Sequence, residues 1–504
     1  MLRMKTAGWW YKLLALSFFT FHTIRVEAKS DKKPNIIFIL ADDIGYGDFG
    51  CYGANKIRTP HIDSIAHNGV IFTNAYSPAS TSSPTRYALI TGEYAWRKKV
   101  GILPGNASLS IDTSAYTLPR LLQDAGYCTG LVGKWHLGLG TPERPVDFNK
   151  EIIPGPLETG FDYAYFYPAT NDRVPCIYIE NHKAVNLRDD DPIEVSYRHK
   201  VGKEPTGKEN PELLKLKSFR GHDGTIVNGI GRIGWMSGGR QAHWTDETMG
   251  EVFLERAIHF INQQKVHEPF FLLFATHNAH EPRVPGPLFK GKSNAGIYGD
   301  VIEEFDSYIG EIVKALKRKG IYDNTLLIIT SDNGPQIKEG YEDGGLESLN
   351  RHDPYSGLRG TKGSLYEGGA RVPFIVSWPD QQIKPFVQDQ PFCFIDMLST
   401  FASLTGREIS ASQSKDSRDA SSLFFESQVK TYREYIMIQD NSGNVALRKG
   451  DWKYIPSSIP DKAELYNLKD DYKEQANCIE MEKNKFSELN DYYQTEYRSV
   501  NHLK

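Results

Sequence analysis

The chain has 504 residues, 39% of them hydrophobic, 12% aromatic and 24% charged, and 59 Lys plus Arg against 63 Asp plus Glu give a formal net charge of −4. That composition supplies a packed core, and it excludes a wholly disordered chain, a collagen-like fibre and a polytopic membrane protein. A near-balanced charge leaves no basic footprint for nucleic acid.

In chain order, the first signal is an address. Arg3 and Lys5 precede an apolar run, Leu13 to Phe21, and Val26-Glu27-Ala28 offers a small-residue cleavage site. Residues 1–28 therefore read as an export signal removed after Ala28. The apolar run is too short to span a bilayer, so no stable membrane insertion is expected. Five scattered cysteines (Cys51, Cys128, Cys176, Cys393, Cys478) form neither a disulfide scaffold nor a zinc pattern.

Asn35 to Leu40 (NIIFIL) is a continuous apolar run, predicted as a buried parallel strand. Similar runs recur at Val70 to Thr73, Cys128 to Val132, Phe270 to Phe274, Leu326 to Thr330 and Val372 to Val376. Helical patterns lie between them at Ile62 to His67, Leu118 to Ala125, Thr245 to Gln264 and Val301 to Arg318. Alternating strands and helices predict an α/β sandwich around a mostly parallel sheet, in which chemistry gathers at the carboxyl ends of strands. Asp42-Asp43 and Asp332-Asn333 both sit at such ends. The polar stretch 186–224 reads as an insertion on the rim of the site, within a catalytic domain spanning 29–406. Beyond a polar linker at Glu408 to Ser421, residues 407–504 form a smaller C-terminal α+β subdomain with strand-like pieces at Tyr435 to Gln439 and Trp452 to Pro456 and a helical tail.

The most informative segment is Ser82-Ser83-Pro84-Thr85-Arg86, followed by Leu89-Ile90-Thr91-Gly92. Pro84 suits the first turn of a helix, which would place Ser82 just before a helix N-terminus, where backbone N–H groups and the dipole favour an oxyanion. Arg86 then lies one turn in, beside the same point. The segment resembles the C/S-x-P-S/T-R signature of sulfatases, in which the first residue is converted to formylglycine. Thr85 stands where Ser is commoner, a conservative departure. Serine at position 82 resembles the bacterial variant matured by an anaerobic radical enzyme, which implies a periplasmic or cell-surface address.

The resemblance extends in order along nearly all of the mature chain and implies an alkaline-phosphatase-like sandwich. Asp42, Asp43, Asp332 and Asn333 resemble the family's metal ligands, completed by the oxygen of residue 82. Hard oxygen donors suit Ca²⁺, with Mg²⁺ as the alternative. Lys134-Trp135-His136 resembles the family's G-K-W-H element, His280 matches the functional histidine of its H-x-x-H-x-P element, and Lys362 matches its second sulfate-binding lysine. His277 reads as packing support.

By this resemblance, a hydroxyl of the formylglycine hydrate attacks sulfur while Lys134, Lys362, Arg86 and the cation hold the sulfate oxygens. His280 protonates the departing alcohol, and His136 takes the proton that lets the second hydroxyl expel sulfate. The pattern looks most like N-acetylgalactosamine-6-sulfatases, acting on sulfated sugars of glycosaminoglycans or mucins. Asn171, Asp172, Arg173, His222 and Arg283 are the polar groups expected to face the sugar. Two alternatives remain: a phosphodiesterase or phosphonate monoester hydrolase of the same superfamily, and a catalytically inactive glycan-binding homologue.

Overall fold

The first strand, β1 (Asn35–Ala41), has all seven residues buried, as an unbroken apolar run requires when both faces of a sheet are covered. The structure, a computed structural model, describes residues 33–381, 384–429, 432–459 and 462–501. The expected export signal at 1–28 lies outside them. Further strands follow at β2 (Val70–Phe72), β3 (Cys128–Lys134), β4 (Tyr163–Tyr167), β5 (Ile179–Glu180) and β6 (Lys183–Ala184). The remaining strands of this sheet are β7 (Phe270–Ala275), β8 (Thr325–Ser331), β9 (Phe374–Ser377) and β10 (Phe386–Gln388).

All ten form one sheet in the order β10-β2-β9-β8-β1-β7-β3-β4-β5-β6. From β8 to β4 every pairing is parallel. Antiparallel pairs occur only toward the two edges. Helices flank the sheet in two groups. Of these, α1 (Pro60–His67) and α4 (Met249–Gln263) each pack on α5 (Gly296–Lys319), and α2 (Ser82–Thr91), α3 (Leu118–Asp124) and α6 (Met397–Thr405) form the second set. The α5 helix begins five residues ahead of the expected Val301, because Tyr298 already belongs to its buried stripe. It stops at Gly320, whose left-handed φ of 71° suits glycine, after three basic residues that complement the C-terminal dipole.

The register of the parallel core assembles the site. Ala41 pairs with Ser331, Leu40 with Ala275, Ala275 with Gly133, and Lys134 with Tyr167. The segments leaving β8, β1, β7, β3 and β4 therefore start side by side at one edge of the sheet. Those segments carry Asp332-Asn333, Asp42-Asp43, His277 to His280, Trp135-His136 and Asn171 to Arg173.

The C-terminal strands β11 (Ile436–Gln439), β12 (Val445–Lys449), β13 (Trp452–Ile455) and β14 (Glu464–Asn467) make an antiparallel meander, with helix α7 (Lys483–Asn501) against β12 and β13. Its apolar cluster takes in Tyr76, Ala88 and Tyr94 from the larger body. The polar stretch Glu408 to Ser421 is irregular but fastened, since Asp416 accepts from Tyr94 N at 2.9 Å and pairs with Arg97 at 2.7 Å. Within 186–224 there is a short strand, Glu194–Ser196, and a single 3₁₀ turn, Pro211–Leu213. All five cysteines are free thiols. Among the described residues no helix is long and apolar enough to cross a membrane.

Candidate active site

Four oxygen-bearing side chains meet where β1 and β8 end, and all are completely buried: Asp42, Asp43, Asp332 and Asn333. The strand ladder holds their backbones, with Asp332 N donating to Ala41 O at 3.0 Å and Asp43 N to Asp332 Oδ1 at 3.3 Å. Asp43 adopts a left-handed φ of 60°, a strained conformation for a non-glycine residue that persists only when its surroundings fix it. Asn333 Nδ2 donates to Asp43 Oδ1 at 2.7 Å, while Asn333 Oδ1 is buried without any hydrogen-bond partner.

Charge is unevenly balanced here. Burial alone would raise the Asp42 carboxyl, but Lys134, His280 and Arg86 hold it below the usual carboxylate range. Burial raises Asp43, and Lys362 and His280 only partly offset it. An undercompensated buried carboxylate beside an orphaned carbonyl oxygen is the environment a hard cation satisfies. The donor set fits Ca²⁺ or Mg²⁺.

Ser82 approaches from helix α2. The sequence places it just ahead of the helix, whereas the structure makes it the first helical residue, with extended Thr81 as the cap and Pro84 third. The shift is tolerated because proline sits in the first turn, where N–H groups lack intrahelical acceptors. Ser82 Oγ donates to Asp42 Oδ1 at 3.3 Å and accepts from Lys134 Nζ at 2.8 Å. Lys134 also donates to Asp42 Oδ2 at 2.6 Å. Burial lowers the Lys134 ammonium, with Asp42 opposing. Arg86 grips Asp332 Oδ2 through Nε at 3.1 Å and Nη2 at 2.8 Å, and donates from Nη1 to Lys134 O at 3.1 Å. It therefore fixes a carboxylate and the lysine's backbone together.

The remaining expected residues close around this core. His136, also at a left-handed φ of 56°, has Nε2 2.9 Å from Leu103 O, leaving buried Nδ1 unpartnered. Burial, reinforced by Lys134, pushes His136 well below the ordinary histidine range, so it is neutral. Lys362 Nζ donates to Asp43 at 2.9 Å and to Glu339 at 2.8 Å, and these carboxylates raise it against the effect of burial. His280 Nε2 lies 3.9 Å from Asp43 Oδ2 and 3.7 Å from Glu339 Oε2. His277 is held neutral by burial, with its pKa pushed down to about 4, and packs against Phe253.

The expected sugar-facing residues form a connected wall. Asn171 donates to His280 O and Pro282 O at 3.3 and 3.2 Å, with its Oδ1 buried and unpartnered. Asp172 pairs with Arg173 at 2.9 Å and with His222 at 3.2 Å. Burial would lower His222, but Asp172 raises it. Arg283 differs from the rest: its guanidinium is fully buried and is spent on Ala279 O, Glu281, Asp343, Gln336 O and Ile337 O. It braces a loop, and each of its three nitrogens is already engaged. Glu339 is absent from the sequence reading, because Lys338-Glu339-Gly340 looks like a solvated turn. The only local hint is that it lies six residues beyond the Asp332-Asn333 pair.

Comparison with known proteins agrees with this geometry. The family model described as Sulfatase matches residues 34–407. Over 436 residues the chain is 50% identical to the N-acetylgalactosamine-6-O-sulfatase of Bacteroides thetaiotaomicron, covering 86% of this chain and 84% of that protein. It is 31% identical to human arylsulfatase D, across 80% of this chain and 70% of that one. A solved 6S-sulfatase structure from the B. thetaiotaomicron locus for metabolism of multiple glycosaminoglycans superposes with a TM-score of 0.89 at 46% identity, covering 92% of this chain and 99% of that one. Ps i-CgsB in complex with k-i-k-neocarrahexaose matches with a TM-score of 0.67 at 26% identity, over 93% of each chain. With the buried carboxylates, the Ser82–Lys134 contact and the family match in agreement, this chain belongs to the sulfatase family.

Proposed function

We propose that the chain hydrolyses 6-O-sulfate esters of N-acetylgalactosamine or galactose in glycosaminoglycan or mucin glycans, after Ser82 has been matured to formylglycine. The observation that carries this reading is the buried meeting of Ser82 Oγ with Lys134 Nζ at 2.8 Å and Asp42 at 3.3 Å, in a chain half identical to a protein named for that sugar sulfate. Once in place, a formylglycine hydrate at position 82 supplies the attacking oxygen, and a Ca²⁺ or Mg²⁺ held by Asp42, Asp43, Asp332 and Asn333 supplies positive charge for the sulfate oxygens.

The chain's own side chains do the rest. Lys134 orients the oxygen of residue 82, and Arg86 keeps Asp332 and Lys134 in register. Lys362 sits at the mouth, where its ammonium, held by Asp43 and Glu339, meets an incoming sulfate oxygen. His280, on the same side, donates a proton to the departing sugar oxygen, which leaves as the alcohol; aliphatic leaving groups need this more than phenolates do. His136 is neutral and keeps a free Nδ1 lone pair, so it can take a proton from residue 82. Asn171, Asp172, Arg173 and His222 line the sugar side, while Arg283 braces the loop 335–343. An export signal at 1–28 and an anaerobic radical maturase complete the reading, placing the enzyme in a bacterial periplasm or on the cell surface.

The test is a sulfate-release screen over galactose, N-acetylgalactosamine and glucosamine sulfates, with the Ser82 peptide followed by mass spectrometry. The expected result is preference for the 6-sulfates of galactose and N-acetylgalactosamine, by protein whose residue 82 has lost two hydrogens. Release from an unmodified serine, or turnover of phosphate esters alone, would refute it.

A further inference from the structure

The loop 335–343 runs over the mouth of the pocket and is fastened at two places. Glu281 Oε2 accepts the backbone N–H groups of Glu339, Gly340 and Tyr341 at 3.1, 2.7 and 3.1 Å. Arg283 holds Gln336 O at 2.6 Å, Ile337 O at 3.1 Å and Asp343 Oδ2 at 2.8 Å. Glu281 is the next residue after His280 and Arg283 the third, so the histidine and the loop share one anchor.

From this loop Tyr341 packs edge-on against His222, and Glu339 reaches the groups expected to meet sulfate. Its Oε2 lies 2.8 Å from Lys362 Nζ and 3.7 Å from His280 Nε2. Asp43 faces the same two groups from the interior, at 2.9 and 3.9 Å. The two carboxylates differ in access: the Asp43 side chain is 1% exposed and that of Glu339 26%. Asp43 is also engaged by Asn333 and belongs to the expected cation site. A surface Lys–Glu pair contributes little, but Lys362 is only 9% exposed, and a charge-assisted contact there has structural force.

We propose that Glu339 is a positioning residue, which holds Lys362 and His280 at the substrate side of the pocket from a loop clamped by Glu281 and Arg283. This rests on the sulfatase reading, since it assigns both held groups to the sulfate ester.

Simple electrostatics makes the opposite prediction, which gives the test a sign. A carboxylate beside an anion site repels the anion, so neutralising it without losing Lys362 would tighten sulfate binding. Loss of a positioning contact would weaken it. Calorimetric titration of inorganic sulfate into the matured, cation-loaded enzyme, wild type against Glu339→Gln, separates the two. The expected result is binding about tenfold weaker in the variant, with an unchanged melting temperature and a larger fall in kcat/KM for a sugar sulfate than for an activated aryl sulfate. Glu339→Ala, which removes the side chain altogether, should show the same direction. Equal or tighter sulfate binding by both variants overturns the assignment while leaving the sulfatase reading intact. A wild-type enzyme that neither binds nor releases sulfate overturns the sulfatase reading, and the Glu339 assignment with it.

Discussion

Two regions of this molecule each bury a lysine between carboxylates. In the pocket, Lys134 sits 2.6 Å from Asp42 and 3.8 Å from Asp332. At the seam with the small sheet, Lys453 sits 3.0 Å from Glu367 and 2.8 Å from Glu474. All six side chains are fully buried. The seam is tied mainly by its own groups: Tyr76 donates to Glu367, Arg448 donates to Tyr76, Glu367 N donates to Glu474 at 2.7 Å, and Glu474 Oε1, with no other hydrogen-bond partner, meets the Lys453 ammonium at 2.8 Å. The pocket does not close, leaving Asn333 Oδ1 and His136 Nδ1 without partners and Asp43 short of positive charge. Buried charge alone therefore does not mark a site. What sets the pocket apart is that Asn333 Oδ1 and His136 Nδ1 have no partner, whereas Glu474 Oε1 in the seam has the Lys453 ammonium at 2.8 Å.

The sharpest way to break this contrast is Ser82→Ala. If the pocket is chemical machinery, sulfate release should fall by about a thousandfold or more while the fold is retained. Near-wild-type release, with circular dichroism unchanged, would make the pocket as structural as the seam. His280→Ala should come next, lowering kcat/KM by about a hundredfold on sugar sulfates but far less on aryl sulfates whose phenol leaves unaided. Equal losses on both would remove its acid role. The converse experiment belongs to the seam. Lys453→Met takes the shared cation from two buried carboxylates, leaving Glu474 without a countercharge while Glu367 keeps Arg371 at 3.6 Å, and should cost about 3–5 kcal/mol in denaturant unfolding, with kcat per folded molecule nearly unchanged. A selective loss of kcat would mean that the seam tunes the chemistry.

The sequence carried these two regions unequally. The central strands were legible because a parallel strand covered on both faces must be apolar throughout, so β1, β7 and β8 stand out as unbroken runs. The pocket was legible because its chemistry demands particular residue types just past strand ends, as at Asp42-Asp43 and Asp332-Asn333. The seam was not, because Glu367, Lys453 and Glu474 come from separate segments and each reads as an ordinary surface charge. Arg283 and Glu339 exchanged apparent roles for the same reason. In isolation the first looks like a rim donor and the second like a solvated turn, and only the packing of loop 335–343 shows which is buried and which faces the pocket. The two-residue strands β5 and β6 are held by pairing at a sheet edge and carry no periodicity to read.

The cation offers a finer test of the pocket's incompleteness. Added Ca²⁺ should raise the melting temperature of metal-depleted protein, by the equivalent of about 2.7 kcal/mol at a hundred times Kd. Asp43→Asn should abolish the rise. A seam variant such as Lys453→Met should melt lower but keep its full response to Ca²⁺. If Ca²⁺ and Mg²⁺ both leave the wild-type transition unmoved, the orphaned Asn333 oxygen has some other partner.

A third kind of buried carboxylate sets the lower limit of the comparison. Glu304 on α5 is 5% exposed and accepts from Gly286 N at 3.0 Å and Asn278 Nδ2 at 3.4 Å, with no cation beside it. Burial raises it from 4.5 to about 7. The folded state then binds more protons than the unfolded state between these values, so stability should fall as pH rises from about 4.5 to 7, by on the order of 3 kcal/mol at most. Glu304→Gln removes the titration, and its stability should exceed that of the wild type at pH 8 while converging with it near pH 5. Parallel stability–pH curves for the two proteins would show that Glu304 is charged and balanced like the seam. A curve flattened only in the variant would place it as the neutral solution to the same burial problem that Lys453 solves with a countercharge and the pocket leaves for a ligand.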